Sequence, residues 1–232
     1  MTMRRSILLL LLGLGAAALL PASSPAQGGG PIKIGLLAPL SGAFSATGKD
    51  MLVGTEQYLD EIGRTVAGRK IELIVEDTEG TPATALTKAR KLVDQDKVHV
   101  LTGGLLASTG YALQPFVDSV RVPTTFPVIA ADDLTQRKPA RWIVRTGWTT
   151  SQPMHPFGEW VAKTLKHKRI VTIGMDYAFG WETVGGFQRT FEDNGGQTCR
   201  RSGRRSTPTT SARSWPRSAA TATRCWPSSW DA

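Results

Sequence analysis

From Ile32 onward the chain alternates short, nearly continuous apolar runs with longer amphipathic ones, and this alternation restricts the possible fold more than any other feature. "IKIGLLAP" (Ile32 to Pro39) reads as a buried strand, followed by a Gly- and Ser-rich loop over residues 41–48. Met51, Leu52, Thr55, Tyr58, Leu59, Ile62 and Val66 then recur at helical spacing, which predicts a helix from Lys49 to Val66 with one buried face. "KIELIVED" (Lys70 to Asp77) is a second strand, and Thr81 with Pro82 forms a cap followed by a first-turn proline, opening a second helix. "VHVLTGG" ends a third strand in glycines, and Ser108 to Val120 reads as the third helix. "PTTFPVIA" and "WIVRT" supply two more strands, and a second set follows: helix Pro156 to Lys166, strand "RIVTIGMD", helix Trp181 to Asn194. Such an order implies α/β architecture, a parallel sheet covered by helices on both faces. Ligands of these sheets sit at the loops leaving the carboxyl ends of the strands. The loops that qualify are 39–48, 103–109, 129–135, 146–152 and 175–181.

The net charge of +9 would suggest an anionic partner, but the charge is unevenly placed. Residues 198–232 carry seven Arg against one Asp, and Arg4 and Arg5 add two more positive charges at the N-terminus. The stretch between is nearly neutral, so the charge is no argument for nucleic acid. The N-terminus has a basic start, an apolar run from Ile7 to Leu20 and Ser24-Pro25-Ala26 before Gln27, the layout of a cleaved secretory signal over residues 1–26. The Leu-rich run fits general secretion better than a twin-arginine route, and without a cysteine at the cleavage point a lipoprotein is not expected. The run is short for a bilayer-spanning helix. Export to the periplasm is therefore expected.

Little in the sequence supports catalysis. There is no G-x-G-x-x-G, no G-x-x-x-x-G-K-[ST] and no G-x-S-x-G, and no Cys/His spacing for a metal, so neither an enzyme nor a cofactor is expected. His99, inside the third strand, reads as a packed residue rather than a base; His155 lies in a possible cleft loop without a partner, and His167 lies on a solvated helix end. Loop one, with Ser41, reads either as a flexible turn or as a polar rim closing over a small ligand. In "TGGLLASTGYALQP", Gly103 and Gly104 permit close backbone approach, while Ser108 and Thr109 place hydroxyls and free amides at a helix N-terminus. That arrangement suits a carboxylate or phosphate without any charged residue; simple capping by Ser108 is the other reading.

The segments "IKIGLLAPLSGAFSATGKDM", "IELIVEDTEGTPATALTKARKLV", "GGLLASTGYALQP", "AADDLTQR", "RTGWTTSQP" and "VTIGMDYAFGWETVGGFQRTFEDNGGQ", in this order, resemble the periplasmic ligand-binding proteins of branched-chain amino acid type ABC transporters. The resemblance runs from Ile32 to about Gln197. It implies a two-lobe type I periplasmic binding fold, with a first lobe over 32–146, the start of a second over 147–197, and a small ligand clamped between them. By this resemblance Ser108 and Thr109 hold the ligand carboxylate, helped by backbone groups of Val128 and Ala130, while Trp148 and Tyr177 or Phe179 pack on the ligand side chain. Leucine-binding members have a threonine near Ala130, so simple leucine specificity is not expected. The implied ligand is an amino acid or related small carboxylate, and the implied partner is a membrane permease. A ligand-sensing receptor ectodomain on the same fold is the alternative.

Residues 198–232 contain no Leu, Ile, Val, Met, Phe or Tyr, so no buried strand or helix face and no ordered structure is expected there. Reading the codons from their third base changes this. Trp226 followed by Pro227 forces Ala, Cys225 followed by Trp226 forces Leu, and with the serines taken as TCN codons Arg224 to Asp231 becomes an apolar run ending in Gly. "TPTTSARSWP" read the same way admits "NDFSPFLA". The expectation is a frameshift near codon 198 that leaves the second lobe incomplete, with ligand binding weak or absent.

Overall fold

The computed structural model describes residues 29–200; the signal segment read over 1–26 and the part of the tail beyond residue 200 lie outside the described residues. Six strands form the first sheet: β1 (Ile32–Ala38), β2 (Thr65–Val66), β3 (Arg69–Asp77), β4 (Val100–Gly103), β5 (Thr124–Phe126) and β6 (Ile143–Arg145). Their order is β2-β3-β1-β4-β5-β6. All neighbours pair in parallel except β2 and β3. Helices α1 (Ser45–Glu61), α2 (Pro82–Asp94) and α3 (Ala107–Val120) connect them. This is the α/β lobe implied by the alternation, and its centre is apolar: Leu36, Leu37, Leu92, Leu101, Leu113 and Phe126 are fully buried. Burying each such side chain contributes about 1.5–3 kcal/mol.

Several boundaries differ from the sequence reading. Helix α1 begins at Ser45 rather than Lys49, within the stretch read as loop, after a short 3-10 turn at Gly42–Phe44. Gly48 makes the early start possible, since a Cβ there would lie 1.9 Å from the Pro39 carbonyl oxygen. The helix also ends at Glu61, not Val66. Gly63 at φ 65 and the bond from Arg64 N–H to Leu59 O (2.7 Å) close it in a left-handed C-terminal cap. Val66 then enters a hairpin with Arg69 across Ala67-Gly68, both at positive φ, as a two-residue type I′ turn requires. At Thr81 the reading holds: its hydroxyl accepts from Thr84 N–H at 3.2 Å, with Pro82 as the first helical residue. His99 is not a packed core residue. It is exposed just ahead of β4, and its Nδ1 accepts from Lys33 N–H at 3.1 Å.

The second lobe, among the described residues, consists of α4 (Met154–Lys163), β7 (Arg169–Thr172), α5 (Ala178–Asp193) and β8 (Gln197–Arg200). β7 and β8 pair in parallel with Arg169 opposite Gln197. Val161, Ala162, Phe187 and Phe191 form its small core. Strand β8 runs past Gln197, where the sequence reading ended the fold, and Thr198 and Cys199 are buried in it. The reading failed there because neither residue is a large aliphatic, yet parallel pairing to β7 needs only backbone groups.

Candidate functional site

Because β1, β4, β5 and β6 run parallel, the loops that follow them emerge at one edge of the sheet. Ser41 follows β1, Ser108 and Thr109 follow β4, Val128 and Ala130 follow β5, and Trp148 follows β6. Topology thus gathers six of the eight candidate residues on the rim where such folds take their ligands.

Loop one is organised by Asp77, a residue the sequence reading assigned only to a strand. Its Oδ1 accepts from the N–H groups of Leu40 (2.8 Å), Glu79 (2.8 Å) and Ser41 (3.4 Å). Partial burial works to raise the Asp77 carboxyl, but the Ser41 hydroxyl and these backbone donors overcome it and hold the group below its ordinary range. Ser41 is exposed, so it stands on the rim as a fixed hydroxyl rather than as part of a loose turn.

Helix α3 starts one residue earlier than read, at Ala107, with Leu106 in the cap position and no side-chain cap. Ser108 therefore lies inside the first turn and is not the capping residue, which removes one of its two readings. Thr109 N–H donates to Leu106 O at 3.0 Å. The first-turn amides of Ala107 and Ser108 are left at the helix end, with the half-buried Ser108 and the buried Thr109 beside them. Gly103 and Gly104 shape this turn at φ 97 and 74. The close approach they permit is internal: a Cβ on Gly103 would lie 2.3 Å from Leu37 O, and one on Gly104 would lie 2.5 Å from Ile129 Cδ1.

The segment after β5 is clasped by the segment after β6. Thr150 donates to Ala130 O through both its N–H and its hydroxyl, each at 2.8 Å. Arg145 Nη1 donates to Ala131 O at 2.5 Å, and Ser151 N–H donates to Asp132 Oδ1 at 3.1 Å. A Cβ on Gly147 would come within 2.6 Å of Pro127 O. Both lone pairs of the Ala130 carbonyl are thereby used, so of its backbone groups the N–H is the one a ligand could engage. Val128 is 40% exposed and stands clear of the clasp. "RTGWTTSQP" thus serves first as a structural strap, with Trp148 left out at 52% exposure.

The three aromatic candidates come together. Trp148 meets Phe179 edge-on with ring centroids 6.4 Å apart, and Tyr177 stacks on Phe179 at 6.1 Å. Tyr177 is the residue preceding α5, and burial raises its hydroxyl above the ordinary value. Ala178 and Phe179 also pack against the first-lobe core, so the start of α5 touches the first lobe.

Next to that contact lies a polar group that sequence spacing could not have revealed. Tyr111 O–H donates to Glu182 Oε1, and the Tyr111 oxygen accepts from Asp133 N–H at 3.1 Å. Glu182 Oε2 accepts from Asp132 N–H at 3.2 Å. Burial, followed by the nearby Asp132 charge, raises the Glu182 carboxyl despite the bond from Tyr111. Burial likewise lowers the Arg145 guanidinium, against the pull of Asp132 and Glu182. Among the described residues no group of three or more His, Cys, Asp or Glu is placed to hold a metal ion.

A family model described as "Periplasmic binding protein" matches residues 31–218. The chain is similar to the Leu/Ile/Val-binding protein homolog 6 of Brucella abortus, at 28% identity over 167 residues, covering 72% of this chain and 42% of that one. Among solved structures it is similar to a solute-binding protein of an ABC transporter from Rhodopseudomonas palustris in complex with 3,4-dihydroxybenzoic acid. That likeness has a TM-score of 0.68 and 31% identity, over 75% of this chain and 47% of the other. A leucine-binding protein of Thermotoga maritima gives a TM-score of 0.68 at 25% identity, over 75% and 49% of the two chains. The chain spans less than half the length of each of these relatives.

Proposed function

Since the chain belongs to the periplasmic binding protein family, we propose that it is the extracytoplasmic substrate-binding component of an ABC transporter, working with a membrane permease in the periplasm. Its ligand is an amino acid of branched-chain type or a related small carboxylate, and it performs no catalysis. The observation that carries this reading is the N-terminal turn of α3, where Ser108 and Thr109 sit beside first-turn amides at the carboxyl edge of the sheet. Partial positive charge at a helix N-terminus favours an anion there by about 0.3–1 kcal/mol, and hydroxyls supply direction. The relatives' names and bound compounds, leucine in one case and a hydroxylated benzoate in another, are both small carboxylates. Trp148, Tyr177 and Phe179 offer a flat apolar wall for the remainder of such a ligand.

Binding by this chain is impaired in the same proposal. The impairment rests on the sequence reading that the chain leaves the second lobe's own frame near residue 198. A ligand present at its own dissociation constant stabilises a protein by only about 0.4 kcal/mol. Thermal-shift measurements with a panel of branched-chain amino acids and benzoates at millimolar concentration should therefore give no large shift. A clear shift at micromolar ligand overturns the impairment, and a shift given by the matching amides and amines, added as controls, but by none of the carboxylates overturns the carboxylate assignment.

A further inference from the structure

We propose that Glu182 is a positioning residue that fixes the 130–133 segment from the second-lobe side and so sets how the two lobes stand against each other. Three contacts carry this inference. Glu182 belongs to α5, yet both of its oxygens are bonded to first-lobe groups, Tyr111 O–H on one side and Asp132 N–H on the other. Tyr111 in turn accepts from Asp133 N–H, so a single carboxylate and a single phenol hold two consecutive amides of the segment that carries Ala130. In that segment Ala131 O is bound by Arg145, Ala130 O by Thr150 and Asp132 Oδ1 by Ser151 N–H. Without Glu182 the strap would still hold the segment to β6, but nothing in this cluster would tie it to α5.

The charged and titratable groups that face Glu182 are Tyr111 from α3, Asp132 from the segment itself and Arg145 from β6; Asp133 bonds Tyr111 through its N–H and pairs with Arg137 at 2.7 Å. An ionised Glu182 can accept from both donors at once, whereas a protonated one gives up acceptor capacity. The raised Glu182 carboxyl means that this exchange takes place above the ordinary glutamate range. Under the function proposed above, the contact would be a fixed stop between the two lobes of a ligand clamp. The contact itself needs no ligand, so a chain that binds nothing still tests it.

The test is amide exchange and amide NMR on the full chain, without ligand, for the native protein, Glu182→Gln, Glu182→Ala and Tyr111→Phe. Exchange at Asp132 and Asp133 is expected to rise at least about tenfold in Glu182→Ala, with β1 and α2 unchanged. Tyr111→Phe should accelerate Asp133, and at Asp133 a Glu182→Ala, Tyr111→Phe double variant should add little to either single change. The Asp132 amide shift should carry a step above the ordinary glutamate range in the native chain, and that step should be missing in Glu182→Gln. Unaltered exchange at both amides overturns the proposal. So does uniform acceleration across the first lobe, which is mere destabilisation, and so does the same step surviving in Glu182→Gln.

Discussion

Replacing Gly103 with alanine tests whether the turn before α3 is as tightly constructed as its geometry requires. Gly103 has φ 97, a region that costs a residue with a side chain about 1–3 kcal/mol. The new Cβ would also lie 2.3 Å from Leu37 O and 2.8 Å from Leu36 Cδ1, both belonging to the central strand of the sheet. Such overpacking costs a further ~1–3 kcal/mol. Gly54 supplies the control, because it lies in the exposed interior of α1 with nothing within 4 Å of its added Cβ. Alanine there should stabilise by about 0.5–1 kcal/mol. Both substitutions restrict the unfolded chain equally, so their difference isolates the native state. That difference comes to roughly 2.5–7 kcal/mol, against a total stability of about 5–15 kcal/mol for a domain. With a urea slope of about 2 kcal/mol per molar, the midpoints of the two variants should lie about 1.3–3.5 M apart, Gly103→Ala being the lower. Midpoints within about 0.3 M of each other would refute the reasoning, since neither the φ angle nor the approach to Leu37 could then be real constraints.

Asp77→Asn should flatten part of the acid limb of stability. The Asp77 carboxyl is held below its ordinary value in the folded state, so its contribution is complete above the unfolded carboxylate range and is lost as pH falls through the lower folded value. The native chain should therefore lose more stability than the variant between pH 5 and pH 2, as followed by urea midpoints at each pH. Thr150→Val keeps the shape of a fully buried side chain and removes one of the two bonds to Ala130 O, which should cost about 1 kcal/mol by chemical denaturation. At the level of the gene, sequencing across codons 195–232 should show that the frame starting at each third base stays open and encodes aliphatic strands. A stop codon in that frame within this stretch contradicts the frameshift reading.

How much of this was legible in the sequence depended on whether the signal was local. Strands β1 and β3 could be read from their apolar runs, and α2 from Thr81 and Pro82, because each signal lies within a few residues of its effect. Helix starts were read late at Lys49, Pro156 and Trp181, where the structure has Ser45, Met154 and Ala178. Apolar periodicity begins only where a helix first meets the core, whereas the backbone coils a turn earlier. The end of α1 was overrun because Val66 fits a helical spacing, although Gly63 and the Ala67-Gly68 pair marked a cap and a turn. At the site, the parallel order places Ser41, Ser108, Thr109, Val128, Ala130 and Trp148 after strands that end at one edge of the sheet. The strap and the Glu182 contact were not legible. Thr150 reaches back 20 residues to Ala130, and Glu182 reaches back 71 to Tyr111. No helical or strand period links such pairs, and only the folded lobes bring them together.

The central claim is that the N-terminal turn of α3 takes a small carboxylate. The direct measurement is an amide NMR titration of the full chain with leucine and, separately, with 3,4-dihydroxybenzoate, each carried to millimolar concentration. The account predicts that at least one of them shifts the amides of residues 103–109 and 128–130 with a weak, saturable isotherm, and that the shifts vanish in a Ser108→Ala, Thr109→Val double variant. Shifts confined to other parts of the chain, or shifts at α3 that persist in the double variant, would contradict it.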